Sequence, residues 1–315
     1  MFKQILTAIQ QHSVIIIHRH EKPDGDALGS QIGLKKILLS AFPEKKIYAV
    51  GDSSPFFSFI DGSSMDTVED SVYENALAIV LDCGAAHLVS DKRYSRAAET
   101  ARIDHHIYTG AFTNMETIDS TYESCCGLIT EFAVQSGFKI NFDAATALYT
   151  GMITDTGRFR YDSTNARSLR LASVLLEAGV NTGDLYRNLY SDTYESKILR
   201  ARFTLKIKLT ENRAAYIYTT KEEIAELNAD PFAISRGMVG VMADMKGVSV
   251  WVNFTESEKG ILCELRSDEA NVNPIAVKYG GGGHKKASGA TVPDYDTAMA
   301  MLKDLDALAS EQTQN

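Results

Sequence analysis

His20, Asp24 and Asp26 are the first residues in the chain whose types and spacing could do chemistry. They lie in the stretch His-Arg-His-Glu-Lys-Pro-Asp-Gly-Asp at 18–26, as His-x-x-x-Asp-x-Asp. Imidazole and carboxylate together suit a first-row divalent ion such as manganese. Pro23 and Gly25 favour a tight, non-helical loop that can turn three side chains towards one point. In isolation, an Asx-rich turn leading into a helix is the simpler reading. Three residues further along, Asp82, His105 and Asp155, reverse that preference. Together the six can hold two divalent ions if one carboxylate bridges. Such a pair sits about 3.5–4 Å apart, can bind a hydroxide between the ions and neutralises phosphate oxygens, which is the chemistry of phosphoester hydrolysis. His106 is not needed as a ligand and is free to contact the phosphate or protonate the leaving oxygen. Asp104 is better suited to orienting an imidazole.

The elements that must position these groups read as strands ending on them. Apolar runs at 14–17, 76–81 and 101–103 end just before the His18–His20 segment, at Asp82, and at Asp104, His105 and His106. Open parallel α/β sheets place their sites outside the carboxyl ends of their strands. Helical patterns at 27–39, 125–135, 144–153 and 166–176 alternate with the strands, and 47–50 reads as one more strand. The helix at 27–39 would point its positive N-terminal end at an anion. Asp155 is expected in a turn at 154–158, just past a helix. The pattern predicts an α/β fold, a doubly wound and mainly parallel sheet, followed by a second, smaller α/β domain.

Leu169, Ala172, Leu175 and Leu176 read as a core stripe. A polar helical region at 182–207 carries Tyr186, Leu189, Tyr190, Tyr194 and Ile198, whose aromatic positions are expected mostly in the core. Strands follow at 214–219, 248–254 and 261–265, the last two joined by a loop at 257–260. Trp251 is expected to pack within its strand. A four-glycine run, 280–283, precedes His284, Lys285 and Lys286, and 295–309 is helical. The domain boundaries implied are 1–185, a helical connection at 186–210, and 211–315.

A chain of 315 residues can bury two cores. A net charge of -9 argues against a sequence-independent binder of long nucleic acid, which would present a basic face. Cys83, Cys125, Cys126 and Cys263 show no paired spacing, so a reducing cytoplasm is the simplest setting. The apolar run at 14–17 is broken by His18, Arg19 and His20, unlike a signal peptide or a membrane span.

His20-x-x-Pro23-Asp24-x-Asp26, Asp82, Asp104-His105-His106 and Asp155 resemble the four motifs of the DHH phosphoesterase superfamily. The glycine run with His284 resembles the glycine-rich motif of the DHHA1 substrate domain, so the resemblance covers nearly the whole chain. The combination is most similar to the oligoribonuclease and pAp phosphatase branch, the nanoRNases. This resemblance implies that His20, Asp24 and Asp82 bind one manganese ion and that Asp26, Asp82, His105 and Asp155 bind the other. It implies that His106 touches the scissile phosphate. It also implies that the second domain closes over the first and holds the nucleotide, a role carried over by position to Gly281, Gly282, Gly283, His284 and Arg266. Consecutive glycines allow close backbone approach, and their N–H groups can cradle a phosphate. The run is neither a Walker A loop nor a dinucleotide fingerprint. Its plain alternative is a flexible turn beside a solvated lysine pair. Arg158 and Arg160 weigh little, since exposed arginines are common.

The expectation is a cytoplasmic, manganese-dependent phosphohydrolase that degrades very short oligoribonucleotides, including linear diadenylate (pApA), to mononucleotides. It would also convert adenosine 3′,5′-bisphosphate (pAp) to AMP. Neither long duplex nucleic acid nor a membrane is an expected partner, and a homodimer is compatible with the sequence. The rivals are an inorganic pyrophosphatase with the same metal motifs, a longer single-strand exonuclease, and a non-catalytic nucleotide sensor.

Overall fold

Ile15, Ile16 and Ile17 are all fully buried, although successive side chains of a strand face opposite sides. A strand covered on both faces belongs in a parallel sheet with layers on each side, and a computed structural model of the chain, which describes residues 1–313, has this arrangement. The chain divides into two compact units, Met1–Ser191 and a second beginning at Asp192.

The first unit contains α1 (Lys3–Gln11), β1 (Val14–His18), α2 (Gly25–Ala41), β2 (Lys46–Ala49), α3 (Asp70–Tyr73), β3 (Leu77–Leu81), β4 (Glu99–Asp104), β5 (Met115–Ile118), α4 (Cys125–Gln135), α5 (Phe142–Asp155), α6 (Ala166–Glu177) and α7 (Thr182–Tyr190). Its five strands are ordered β2-β1-β3-β4-β5 and all pairs are parallel. The chain steps from β1 to β2 on one side and returns to β3 on the other. The strand order therefore reverses between β1 and β3, which is where such sheets bind ligands.

The two faces are covered unequally. Ile15, Ile17, Ile79, Leu81 and Ile103 share one core with residues of α1, α2, α4, α5 and α6. On the other face Ile16 packs with Tyr73, and Ala78 and Val80 pack with Tyr94. The helix expected at 27–39 begins at Gly25, and its first ten residues are buried. Gly29 and Gly33 explain how closely α5 lies against it. A Cβ at Gly29 would run into the Ala147 carbonyl, and one at Gly33 into the Leu148 side chain.

Three expectations are corrected. Asp155 is the last residue of α5 rather than part of the following turn. Thr154 Oγ1 donates to the Thr150 and Gly151 carbonyls at 3.0 Å, a bond available inside a helix. Beyond the cap residue Thr156 the chain turns away through three successive residues with positive φ, Gly157, Arg158 and Phe159. Of the stripe expected on α6, Ala172 and Leu175 are buried, but Leu169 and Leu176 are 54% and 42% exposed, and Ser168 and Leu171 are buried in their place. The segment at 182–207 is two helices, and Tyr190 and Tyr194 are exposed, while Leu185 and Phe203 are the buried anchors.

The second unit contains α8 (Tyr194–Leu205), β6 (Lys208–Leu209), β7 (Ala215–Thr219), α9 (Lys221–Glu226), α10 (Pro231–Met238), β8 (Val250–Ser257), β9 (Gly260–Ser267), α11 (Asn273–Lys278), β10 (Gly282–His284), β11 (Ala287–Val292) and α12 (Tyr295–Thr313). The sheet is mixed, ordered β10-β11-β9-β8-β7-β6, with only β7 and β8 parallel. Val250, Val252 and Phe254 face Met301 and Leu305 of α12, while Trp251 faces Ile234 and Met238 of α10. Trp251 is thus a packing residue, as expected. Among the described residues no helix is long and apolar enough to cross a membrane.

Candidate metal centre

The first unit brings His20, Asp24, Asp26, Asp82, His105 and Asp155 to the carboxyl end of its sheet. Asp82 directly follows β3 and takes a left-handed backbone with φ 49°. That conformation costs an ordinary residue roughly 1–2 kcal/mol. The Asp82 N–H, bonded to the Ile103 carbonyl at 3.2 Å, ties it to β4. His105 and His106 directly follow β4. His20 lies beyond β1 and forms a bridge with Val89.

His20 is held from behind. Arg19 is fully buried and donates to Gln31 Oε1 at 2.9 Å, to Asp52 Oδ1 at 3.1 Å and to the His20 carbonyl at 3.1 Å. Gln31 in turn donates to the Ile17 and Val50 carbonyls, at 2.6 and 2.9 Å. The only sequence signal for this network was an arginine beside a buried strand, too weak to single out.

Asp24 and Asp26 are positioned by helix ends. Asp24 caps α2, its Oδ1 accepting from the N–H groups of Asp26 and Ala27 at 3.0 Å. Asp26 is buried and accepts from the N–H groups of Cys125 and Cys126 at 2.7 and 2.8 Å. Those two residues open α4, so the carboxylate rests against the positive end of that helix. Ser124 before the helix, an N-cap type, was the available signal for where α4 starts.

The donor atoms converge. His105 Nε2 lies 3.5 Å from Asp82 Oδ1, 3.6 Å from Asp26 Oδ2 and 3.6 Å from Asp155 Oδ2. His20 Nε2 lies 3.5 Å from Asp82 Oδ2 and 3.8 Å from Asp24 Oδ1. In each of three triads, His20-Asp24-Asp82, Asp26-His105-Asp155 and Asp82-His105-His106, ligand atoms fall within 4.8 Å of one another. These separations are longer than hydrogen bonds. Asp82 Oδ1 accordingly is buried without a hydrogen-bond partner.

The imidazoles are oriented for a cation. His20 Nδ1 donates to the Glu21 carbonyl at 2.7 Å and His105 Nδ1 to the Tyr122 carbonyl at 3.4 Å, so each Nε2 faces the carboxylates. Metal-binding histidines are held in this way. His106 differs, because its Nδ1 is engaged by Asp104 Oδ1 at 2.7 Å. Its side chain is 49% exposed, whereas Asp104 is buried.

The electrostatics point the same way. Burial opposes charge on His20, but Asp24 and Asp82 outweigh it and raise the imidazole to about 10. Burial likewise opposes charge on His105, and Asp82, Asp26 and Asp155 raise it to about 10. Burial, with Asp82 and Asp155 beside it, pushes Asp26 well above the usual carboxylate range. Asp155 rises to about 6, chiefly through burial, although His105 works against it. Burial also disfavours the Asp82 anion, yet His105 and His20 hold its carboxyl well below the ordinary value. The carboxylates therefore demand positive charge at this point, as protons on the imidazoles or as bound cations. A buried oxygen without a partner and mixed nitrogen and oxygen donors fit divalent metal ions.

The sequence-selected substrate residues lie in the second unit. Arg266, on β9, donates to the Leu265 carbonyl at 2.8 Å and to Glu264 Oε2 at 3.1 Å. Arg236 stands 3.4 Å from the other oxygen of Glu264, so one carboxylate joins two arginines; nothing in the sequence marked Glu264 or Arg236. The glycine run is not a free loop. Gly282, Gly283 and His284 form β10 against β11, and a Cβ at Gly283 would strike Ala287 and Ser288. The N–H groups of Gly280 and Gly281 bond the Val277 and Ala276 carbonyls at 3.0 and 2.8 Å, so these two are engaged within the fold rather than open to a phosphate. His284 is exposed.

Comparison with known proteins agrees with this layout. Residues 14–152 match the model of the DHH family, N-terminal domain, and residues 216–311 match the DHHA1 domain. The chain is 34% identical to the bifunctional oligoribonuclease and PAP phosphatase NrnA of Bacillus subtilis, covering 99% of each protein. It is 36% identical to a probable protein of the same name from Streptococcus mutans, over 92% of this chain and 93% of that one. A solved structure of an exopolyphosphatase-related protein from Bacteroides fragilis superposes with a TM-score of 0.86 at 25% identity, covering 100% of this chain and 97% of that one.

Proposed function

Because this chain belongs to the DHH/DHHA1 phosphoesterases, in the branch of the bifunctional oligoribonucleases and PAP phosphatases, we propose that it is a manganese-dependent hydrolase of very short RNA and of pAp. On this reading it converts oligoribonucleotides, pApA among them, to mononucleotides and pAp to AMP, in the cytoplasm. The observation that carries the reading is Asp82, whose two oxygens serve different histidines and one of which has no hydrogen-bond partner.

His20, Asp24 and Asp82 would hold one divalent ion and Asp26, Asp82, His105 and Asp155 the second; when bound, the ions supply positive charge against phosphate oxygens and acidify water. His106 has a separate task. Asp104 accepts its Nδ1–H and, together with Asp82, raises the imidazole above its ordinary value despite partial burial. The exposed ring thus carries a proton that its Nε2 can give to the leaving oxygen as water adds to phosphorus and the P–O ester bond breaks. In the second unit, Arg266, Gly282, Gly283 and His284 would hold the terminal phosphate and base, with Gly281, whose N–H is bonded to the Ala276 carbonyl, contributing only close backbone approach. The net charge of -9 supports short substrates over long duplexes.

The test is purified protein with Mn²⁺, challenged in parallel with pAp, pApA, cyclic diadenylate, a five-nucleotide RNA, a long RNA and pyrophosphate. Turnover of pAp, pApA and the short RNA is expected. Pyrophosphate as the sole good substrate would replace this reading with a pyrophosphatase, and tight nucleotide binding without turnover would replace it with a sensor. His284→Ala should mainly raise KM for pAp; an unchanged KM removes His284 from the substrate site.

A further inference from the structure

Arg102 is 1% exposed, lies on β4 two residues before Asp104, and takes no part in the chemistry above. Moving a guanidinium out of water costs several kcal/mol unless it is well paired. Its contacts show what offsets that cost. One amino group donates to the Cys83 carbonyl at 3.4 Å, and the other to the Gly110 carbonyl at 3.4 Å and to Glu116 Oε2 at 3.2 Å. The group also stacks on Phe112, 4.3 Å from its centroid, and lies 5.8 Å from that of Tyr108.

These partners belong to two segments that carry reacting groups. Cys83 follows Asp82, the residue in the left-handed conformation. Gly110 lies in the loop, 105–114, that starts with His105 and His106. Thr109 Oγ1 donates to the Gly84 carbonyl at 2.7 Å, a second tie between the same segments. Glu116 fixes the far side, since its other oxygen accepts from the Phe112 N–H at 3.0 Å. A planar, forked donor can reach two carbonyls and a carboxylate together, which a lysine ammonium on a flexible stem does poorly.

We propose that Arg102 is a positioning residue: by bridging Cys83 and Gly110 it holds the Asp82 turn and the His106 loop in one mutual arrangement. The inference rests on the hydrolase reading for its kinetic consequence, while the positioning itself is readable without turnover. Arg102 touches neither substrate nor metal ligands in this account, so its loss acts on alignment.

The experiment compares wild type, Arg102→Met and Arg102→Lys by amide hydrogen exchange and by steady-state kinetics on pAp and pApA. Expected in both variants is faster exchange confined to 83–85 and 107–112, with α2 and α5 unchanged. kcat should fall about ten- to a hundredfold with little change in KM. Unchanged exchange in those segments overturns the proposal, as does Arg102→Lys matching wild type in both measurements, which would reduce Arg102 to a charge partner of Glu116. If Arg102→Met does not fold, Glu116→Gln should give the same local exchange change in weaker form, and its absence counts equally against the bridge. Should wild type turn over none of the nucleotides, the hydrolase reading fails, and the exchange result still decides the positioning role.

Discussion

Asp82 Oδ2 lies 3.5 Å from His20 Nε2 while Asp82 Oδ1 lies 3.5 Å from His105 Nε2, so one buried carboxylate faces two imidazoles from different strand ends. A group so placed can bridge two cations. Its left-handed backbone also decides how to test it, because Asn tolerates that conformation and Ala does not. Asp82→Asn is expected to abolish turnover and to weaken both Mn²⁺ binding steps in calorimetry, with the fold retained by circular dichroism. Loss of a single ion would confine Asp82 to one site.

His106→Gln distinguishes a proton donor from a ligand. Its Nδ1 is engaged by Asp104, although Asp82 Oδ1 is only 3.5 Å away. We expect kcat on pAp to fall by about 10²–10⁴-fold with Mn²⁺ affinity unchanged. A comparable fall in Mn²⁺ affinity would make His106 a ligand in the triad with Asp82 and His105.

Gly29→Ala and Gly33→Ala probe the contact that sets Asp26 on α2 against Asp155 on α5. The new methyl at position 29 meets a backbone carbonyl, which cannot move aside, whereas at 33 it meets the flexible Leu148 side chain. Gly29→Ala should destabilise the protein by about 1–3 kcal/mol in denaturant titration, and Gly33→Ala by less. Equal effects would mean that the two helices can slide apart.

Acid should remove the contribution of Asp91. Burial opposes its ionisation, but Arg93 outweighs burial through bonds from its backbone N–H, Nε and terminal nitrogen, at 3.0, 3.0 and 2.7 Å, and the carboxyl is held below its ordinary value of 3.8. A carboxylate depressed in the folded state stabilises it above the unfolded value and loses that contribution as pH falls through the folded one. Asp91→Asn should therefore lower Tm at pH 7, by an amount that shrinks as the pH is taken down through the acid range, as scanning calorimetry would show. A loss that does not change with pH would mean that packing rather than charge is responsible.

Much of the metal centre was legible because its signals are local. Buried strands show as short apolar runs, and each of three such runs ends at or just before His20, Asp82 or His105. The helix at 125–135 was legible from end to end, since Ser124 is an N-cap type and apolar residues run through most of it. β5 was not, because four residues, Met115–Ile118, are too few to show a period. On α6 the leucines at 169 and 176 suggested a core stripe, yet the buried face is set by the layer it meets.

Residue chemistry and spacing alone determined that imidazoles and carboxylates stand at strand ends, and that glycines precede a histidine near the C-terminus. Only the tertiary structure decided that six of those groups meet, because convergence depends on parallel register between β1, β3 and β4 and on the approach of α2 to α5. It alone placed Asp155 at a helix end, engaged two glycine amides with α11, and buried Arg102 between the loops. The burial of Arg102 and the meeting of the six groups arise from contacts between segments far apart in the chain, and a local pattern carries no record of them.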